Sequence, residues 1–330
     1  MRLMLLAILF LLLYGPRFRV FDLMPATAAV ASGLFVLGIL HRDIRIDHHF
    51  KMLALLLVLL VYALVVRLLL GSPDWTGVWV AGKLLLYYSA AAWFVAAWGA
   101  TYKEQTYSKL IDAVILCSAV NALAVYAAFF SSTVRSLLGK LIFIDDSNMN
   151  WIFDGRRVFD MSMGGGSSAS FVFAVVFVLA LLHWDGLSTR RKFAALLVAG
   201  ATFLLGRSGA LIVLGAISFV TVRDVRSKLK GGGGGKVAWL LSAAMVIGLV
   251  VTATSSWWWA NYSDWLMWAF EWYFRYTESG TIGTGSTDVL ANMYFFPEFG
   301  MELFFGTSNY GRSSDLPPLA IPAVTGRVRG

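Results

Sequence analysis

FAALLVAGATFLLGRSGALIVLGAISFVTV, residues 193–222, decides the class of this chain. As one helix it would rise about 45 Å against a hydrocarbon core of about 30 Å, too long for a single crossing. Gly206, Arg207 and Ser208 interrupt it at the middle. Glycine frees the backbone, and an arginine at mid-length is costly in lipid. The stretch therefore predicts a tight hairpin of two helices, 193–206 and 208–222, with Arg207 at the apex.

The same apolar character extends both ways along the chain. Of 330 residues, 58% are hydrophobic, 15% aromatic and only 14% charged, with a mean hydropathy of +0.71. That balance excludes an ordinary soluble domain. Further apolar stretches fall at about 3–14, 21–40, 52–71, 77–98, 110–130, 168–184 and 237–253, which with the hairpin makes nine. The expected fold is all-α: a polytopic integral membrane helix bundle of about nine transmembrane helices. Residues 1–253 read as the bundle, including a large loop at 132–167, and 254–330 as a separate region outside it. The first span follows only Met1 and Arg2 and precedes GPRFRVFD instead of a small-residue cleavage site, so it reads as a retained helix.

Charge sets the orientation. With the N-terminus inside, the inner loops carry Arg2, Arg42, Arg45, Lys51, Lys103, Lys109, Arg190, Arg191, Lys192, Arg223, Arg226, Lys228, Lys230 and Lys236, 14 basic residues. The outer segments carry Arg17, Arg19, Arg135, Lys140, Arg156, Arg157 and Arg207, only 7. An excess of Lys and Arg on one side is the positive-inside signature, and an odd number of spans leaves everything after Ala253 outside. The net charge of +8 follows from this topology and gives no reason to expect nucleic-acid binding.

Two outer regions have the length to carry function. The loop 132–167, SSTVRSLLGKLIFIDDSNMNWIFDGRRVFDMSMGGGSS from Ser131 on, ends polar and Gly-rich but holds apolar pairs that suit a membrane surface. The stretch TSSWWWANYSDWLMWAFEWYFRY, from Thr254, has the Trp and Tyr density of the headgroup zone. Asp264, Glu271 and Arg275 interrupt it, which favours an interfacial helix over a tenth span.

A second set of cations lies on or near the outer side: Arg67, Lys83, Arg156, Arg157, Arg207 and Arg275. Arg67 lies one turn from the outer end of the third span and Lys83 two turns into the fourth. Each can snorkel to the headgroups on its long stem. Two such cations on helices joined by SPDWT point instead to a shared anion site. Arg156 and Arg157, in DGRRVFD, have Asp154 and Asp160 for local ion pairing, which alone would account for them in a solvated loop. Arg207 sits where Gly206 and Ser208 let backbone approach a ligand and where the next helix presents free N–H groups. Five of the six are arginine, the group best shaped for bidentate phosphate contact.

Other chemistry is sparse. GGGGGK, 231–236, lacks the leading glycine and the following Ser or Thr of a phosphate loop and reads as a flexible linker. His41, His48, His49 and His183 all fall on the inner side, so neither an outer metal site nor an outer His base is expected, and no cofactor is implied. HRDIRIDHHFK, 41–51, reads as a solvated loop more than a divalent-ion site. Cys117, the sole cysteine, lies in an apolar segment with no partner for a disulfide.

RRVFDMSMGGGSSASFVFAVVFVLALL (156–182), FLLGRSGALIVLGAISFV (203–220) and MELFFGTSNYGRSSD (301–315) together resemble the bacterial O-antigen polymerase and ligase superfamily. Its members have a loop arginine before a small-residue-rich helix, a Ser/Arg/Gly-type hairpin and a late FGxG motif followed by Ser-Asp. The likeness covers roughly residues 50 to 315, and the pattern of spans and loops carries more of it than any one motif. It implies an enzyme at the periplasmic face of the bacterial inner membrane, acting on glycans carried by undecaprenyl pyrophosphate. On this chain Arg156 or Arg157 matches the loop arginine and Arg207 the hairpin arginine. Such a transfer needs positive charge for the leaving pyrophosphate, which arginines supply without a metal, and a base for the attacking hydroxyl. Asp146, Asp154, Asp160 and Glu271 are the candidates, with Asp160 placed beside the catalytic arginines and Arg67, Lys83 and Arg275 as substrate-binding cations.

Two departures bear on the reading. Ligases of the superfamily are expected to use an outer histidine, which this chain lacks, so polymerase is favoured. The tail LPPLAIPAVTGRVRG, after Ser314 and Asp315, has neither apolar length nor helical period and reads as an incomplete C-terminal end. Implied partners are a chain-length regulator and a flippase of the same pathway. A transporter or flippase for the same lipid-linked sugars is the alternative of another class. It calls for polar groups in both leaflets, where this sequence offers chiefly Asn121 near mid-depth.

Overall fold

The computed structural model describes residues 2–18, 21–41, 44, 47–70, 75–142, 160–161, 167–229, 248 and 256–280. Among them the chain is helical, with only two isolated backbone bridges, Arg17 to Asp22 and Phe18 to Ile142. The helices are α1 (Arg2–Tyr14), α2 (Leu23–Leu40), α3 (Asp47–Leu70), α4 (Thr76–Tyr102), α5 (Thr106–Phe130) and α6 (Ser132–Leu141). They continue with α7 (Ser167–Leu182), α8 (Thr189–Leu205), α9 (Arg207–Leu229), α10 (Ser256–Ala269) and α11 (Glu271–Ser279).

The all-helical class expected from the sequence is what the structure has. Among the described residues three helical stretches are long and apolar enough to cross a membrane: Leu23–Leu40, His49–Leu69 and Thr76–Phe130. The third contains two of the expected spans, joined by a 3-10 turn at Lys103–Gln105. Lys103 has φ 47°, and the Trp98 indole donates to the Thr106 carbonyl at 3.1 Å. Eight residues of uninterrupted helix rise about 12 Å, so this bond requires the chain to bend there. Arg2–Tyr14, Ala169–Leu182 and Arg207–Val222 are apolar but shorter. The expected span at 237–253 lies outside the described residues except for Gly248.

Two compact units emerge, Met1–Ile44 with Ser89–Glu271, and Arg45–Tyr88 with Trp272–Gly330. The first holds the core. Its center is α5, α7 and α8, which meet through Ile115, Ala122, Val125, Phe173, Phe177, Ala195, Val198 and Ala201, each fully buried. Alanines at so many contacts let helix backbones approach closely, which is how helices associate where lipid offers no hydrophobic drive. Gly209 does the same for α9: a Cβ there would lie 2.6 Å from the Ser170 carbonyl carbon of α7.

Helix direction within this unit follows from end-to-end contacts. At the start of α5, Tyr107 meets His183 beyond α7, with ring centroids 5.2 Å apart, and Asp112 pairs with Arg191 of α8 at 3.6 Å. Toward the end of α5, the Tyr126 hydroxyl donates to the Leu197 carbonyl of α8 at 3.2 Å. Hence α5 and α8 run the same way and α7 the opposite way. The predicted hairpin is present, with Gly206 the single residue between α8 and α9. Its N–H donates to the Thr202 carbonyl and its own carbonyl accepts from Ala210.

The aromatic stretch after Thr254 forms two helices, α10 and α11, and part of α10 packs against α5. Tyr262 stacks on Phe129 at 4.7 Å, Trp265 meets the same ring edge-on, and Leu266 is buried. The loop after Phe130 begins as a helix too. Ser131 closes α5 with its N–H and opens α6 with its hydroxyl, which accepts from Val134 N–H at 3.3 Å. Arg135 then reaches back to donate to the carbonyls of Ala128 and Phe129, at 3.0 and 2.9 Å. It satisfies acceptors that the end of α5 leaves open. Burial lowers the Arg135 guanidinium from its ordinary pKa, with the Tyr262 hydroxyl pulling the other way.

In the second unit, α3 is apolar on nearly its whole circumference and scarcely buried. Phe50, Leu55, Leu57, Val58, Leu68 and Leu69 are all exposed. A helix of this kind is built for a lipid surround.

Candidate functional site: an arginine–glutamate pair and an enclosed aspartate

Arg207 is the first residue of α9, so the break that ends α8 also fixes where its side chain starts. Its Nη1 donates to Glu271 Oε2 at 2.8 Å and to the Trp268 carbonyl at 3.1 Å. The guanidinium carbon lies 5.1 Å from the Trp268 ring centroid. Both charged side chains keep partial solvent access, 21% for Arg207 and 33% for Glu271. Among the described residues only Nη1 is engaged, which leaves the Nε and Nη2 donors of the fork to an incoming acceptor. Beside it the Trp268 indole N–H is buried with no acceptor among the described residues.

Asp160 has the opposite setting. It is 1% exposed, and Asn121, 0% exposed, donates from Nδ2 to its Oδ2 at 3.0 Å. Asn121 Oδ1 in turn accepts from Met161 N–H at 3.1 Å. One turn earlier on the same face of α5, Ser118 donates to the Val114 carbonyl at 2.7 Å. That uses its single hydrogen, so the Tyr14 hydroxyl, 2.7 Å from Ser118 Oγ, is the donor of that pair. Asn121 lies nine residues before the end of α5, about 13 Å along its axis. The segment at Asp160 thus enters the bundle well below the helix end, where the sequence reading had a solvated loop.

Of the other expected site residues, Arg156 and Arg157 lie outside the described residues. Arg67, Lys83 and Arg275 belong to the second unit. Arg67 lies over Trp75, 3.4 Å from its centroid, and its Nε is buried without a hydrogen-bond partner among the described residues. Lys83 is exposed on α4, and Arg275 is half-buried on α11. Arg207 and Glu271 are brought together; the sequence had singled out both but had not paired them. Trp268 was missed as a site residue, although its place three residues before Glu271 was a readable signal. Ser118, three before Asn121, had the same signal.

No family model, curated protein or solved structure matches the chain.

Proposed function

We propose that this chain is a membrane glycosyltransferase that polymerises undecaprenyl-pyrophosphate-linked oligosaccharide repeat units at the periplasmic face of the bacterial inner membrane. The carrying observation is Arg207: a guanidinium at a hairpin apex, hydrogen-bonded among the described residues through Nη1 and set over the Trp268 ring, which leaves its Nε and Nη2 donors for a ligand. That is the arrangement a pyrophosphate leaving group needs, because its departure is helped by fixed positive charge more than by an acid. In this reading the chain crosses the membrane nine times with its N-terminus inside. Arg156 and Arg157, which lie outside the described residues, are expected to join Arg207 on the pyrophosphate. A chain-length regulator and a flippase are the expected partners.

A transporter of the same lipid-linked sugars is the second reading. The buried Tyr14, Ser118, Asn121 and Asp160 cluster favours it, since polar groups deep in a bundle commonly mark a translocation path. A glycan profile of a strain lacking the gene separates the readings. Surface single repeat units with long chains missing fit the polymerase. Long chains held on the lipid carrier indicate a ligase, and repeat units trapped inside a transporter. An unchanged profile rules out all three.

A further inference from the structure

We infer that Glu271 is the general base of the proposed transfer and that Arg207 sets it in place while holding the departing pyrophosphate. The inference rests on the polymerase reading above and adds to it a residue whose role the sequence left open among four carboxyls.

Asp146 and Asp154 lie outside the described residues; among the described carboxyls of the first unit, Glu104 and Asp185 are exposed just before the starts of α5 and α8, away from the end of α8 that adjoins Arg207. Asp22 caps α2 by accepting from Met24 N–H at 3.2 Å. Asp112 pairs with Arg191 at the start of α8, at the opposite end of that helix from Arg207. Asp160 is sealed from solvent, so an acceptor sugar has no approach to it. Asp264 is exposed on α10 with no hydrogen bond or ion pair to another described residue. Glu271 alone of these combines solvent access with contact to the hairpin arginine.

The geometry suits a base. A carboxylate offers roughly four acceptor positions, so Glu271 can accept from a sugar hydroxyl while it keeps the Nη1 bond. Arg207 is held in turn by the Trp268 carbonyl and lies over the Trp268 ring, which limits its swing. A guanidinium gripped at one end presents its other donors to an anion at a fixed distance from the base. In the step, the acceptor hydroxyl gives its proton to the Glu271 carboxylate as its oxygen bonds to the anomeric carbon of the donor glycan. The bond from that carbon to the phosphate oxygen breaks, and the electron pair leaves on the lipid pyrophosphate beside Arg207. Glu271 then returns its proton to solvent or to the released pyrophosphate, which restores the resting pair.

The test uses the full chain in membrane vesicles, with lipid-linked repeat units extracted from a host strain lacking the gene. Polymer formation is followed against pH, and inorganic pyrophosphate binding is measured by calorimetry. Glu271→Gln is expected to lower kcat by about 100-fold, the usual contribution of a general base. Its KM stays within about threefold, its pyrophosphate binding is kept, and the fall in rate on the acid side disappears. Glu271→Asp keeps more of the rate than Glu271→Gln does. A Glu271→Gln protein that turns over like the wild type overturns the assignment. Loss of pyrophosphate binding together with rate also overturns it, because Glu271 would then only position Arg207. If the wild type neither polymerises these units nor binds pyrophosphate, the polymerase reading itself fails.

Discussion

Asp160 and Glu271 are both acidic, and each accepts from a side chain far from it in sequence, yet they sit in opposite surroundings. Asp160 is closed off and faces the amide of Asn121. Glu271 is one-third exposed and faces the guanidinium of Arg207. The difference is one of available work. A sealed carboxyl bonded to an amide fixes where a segment enters the bundle, whereas a carboxylate at an open arginine can exchange its partner for a ligand. On this view the first region governs stability and the second governs activity.

The largest effect expected is on activity. Arg207→Ala should abolish polymer, with a loss of about 10²-fold or more, typical for removing a fixed donor to a leaving or developing anion. Protein level and topology should stay intact, and gel profiling of surface glycans beside a blot of the membranes checks both. Full-length polymer in that variant removes Arg207 from the mechanism. Gly209→Val bears on the scaffold beneath the apex: with the Ser170 carbonyl so close, overpacking should cost about 3 kcal/mol. A thermal melt in detergent reads it, and an unchanged melt would show that α7 and α9 are not closely packed there.

Asn121→Ala sharpens the comparison directly. It removes the bonds to Asp160 and to Met161 N–H, each worth about 1 kcal/mol between elements in a bilayer, so about 2 kcal/mol in all. Glu271→Gln should move the same melt by less than about 1 kcal/mol, because exposed ion pairs contribute little. Equal shifts would erase the distinction between the two regions. The smallest effect is the coupling between Arg207 and Glu271. A double-mutant cycle on stability should give about 0.5 kcal/mol, reduced further in high salt. A coupling of several kcal/mol would mark the pair as structural.

The hairpin was legible because its evidence is local. An apolar run too long for one crossing, broken by Gly206 and Arg207, has one economical reading, and the structure has it. The same holds for α2 to α5 and α7, whose apolar runs predict helices wherever they fall. For the aromatic stretch the sequence left the packing partner open, for a physical reason. Trp and Tyr suit a headgroup zone and a protein contact equally well, and only the position of Phe129 shows that Tyr262 and Trp265 pack on α5. Asp160 was read as a loop carboxyl because four polar or charged residues surround it in sequence; its burial comes from Asn121, 39 residues earlier.

By itself, then, the sequence determined the helical class and the parts: apolar length and period dictate helices and where they break. Which parts meet was decided by tertiary structure alone. Arg207 and Glu271 are 64 residues apart, and no local period links residues at that separation. Their contact depends on α10 docking its rings on the end of α5, a packing event that leaves no pattern in either segment.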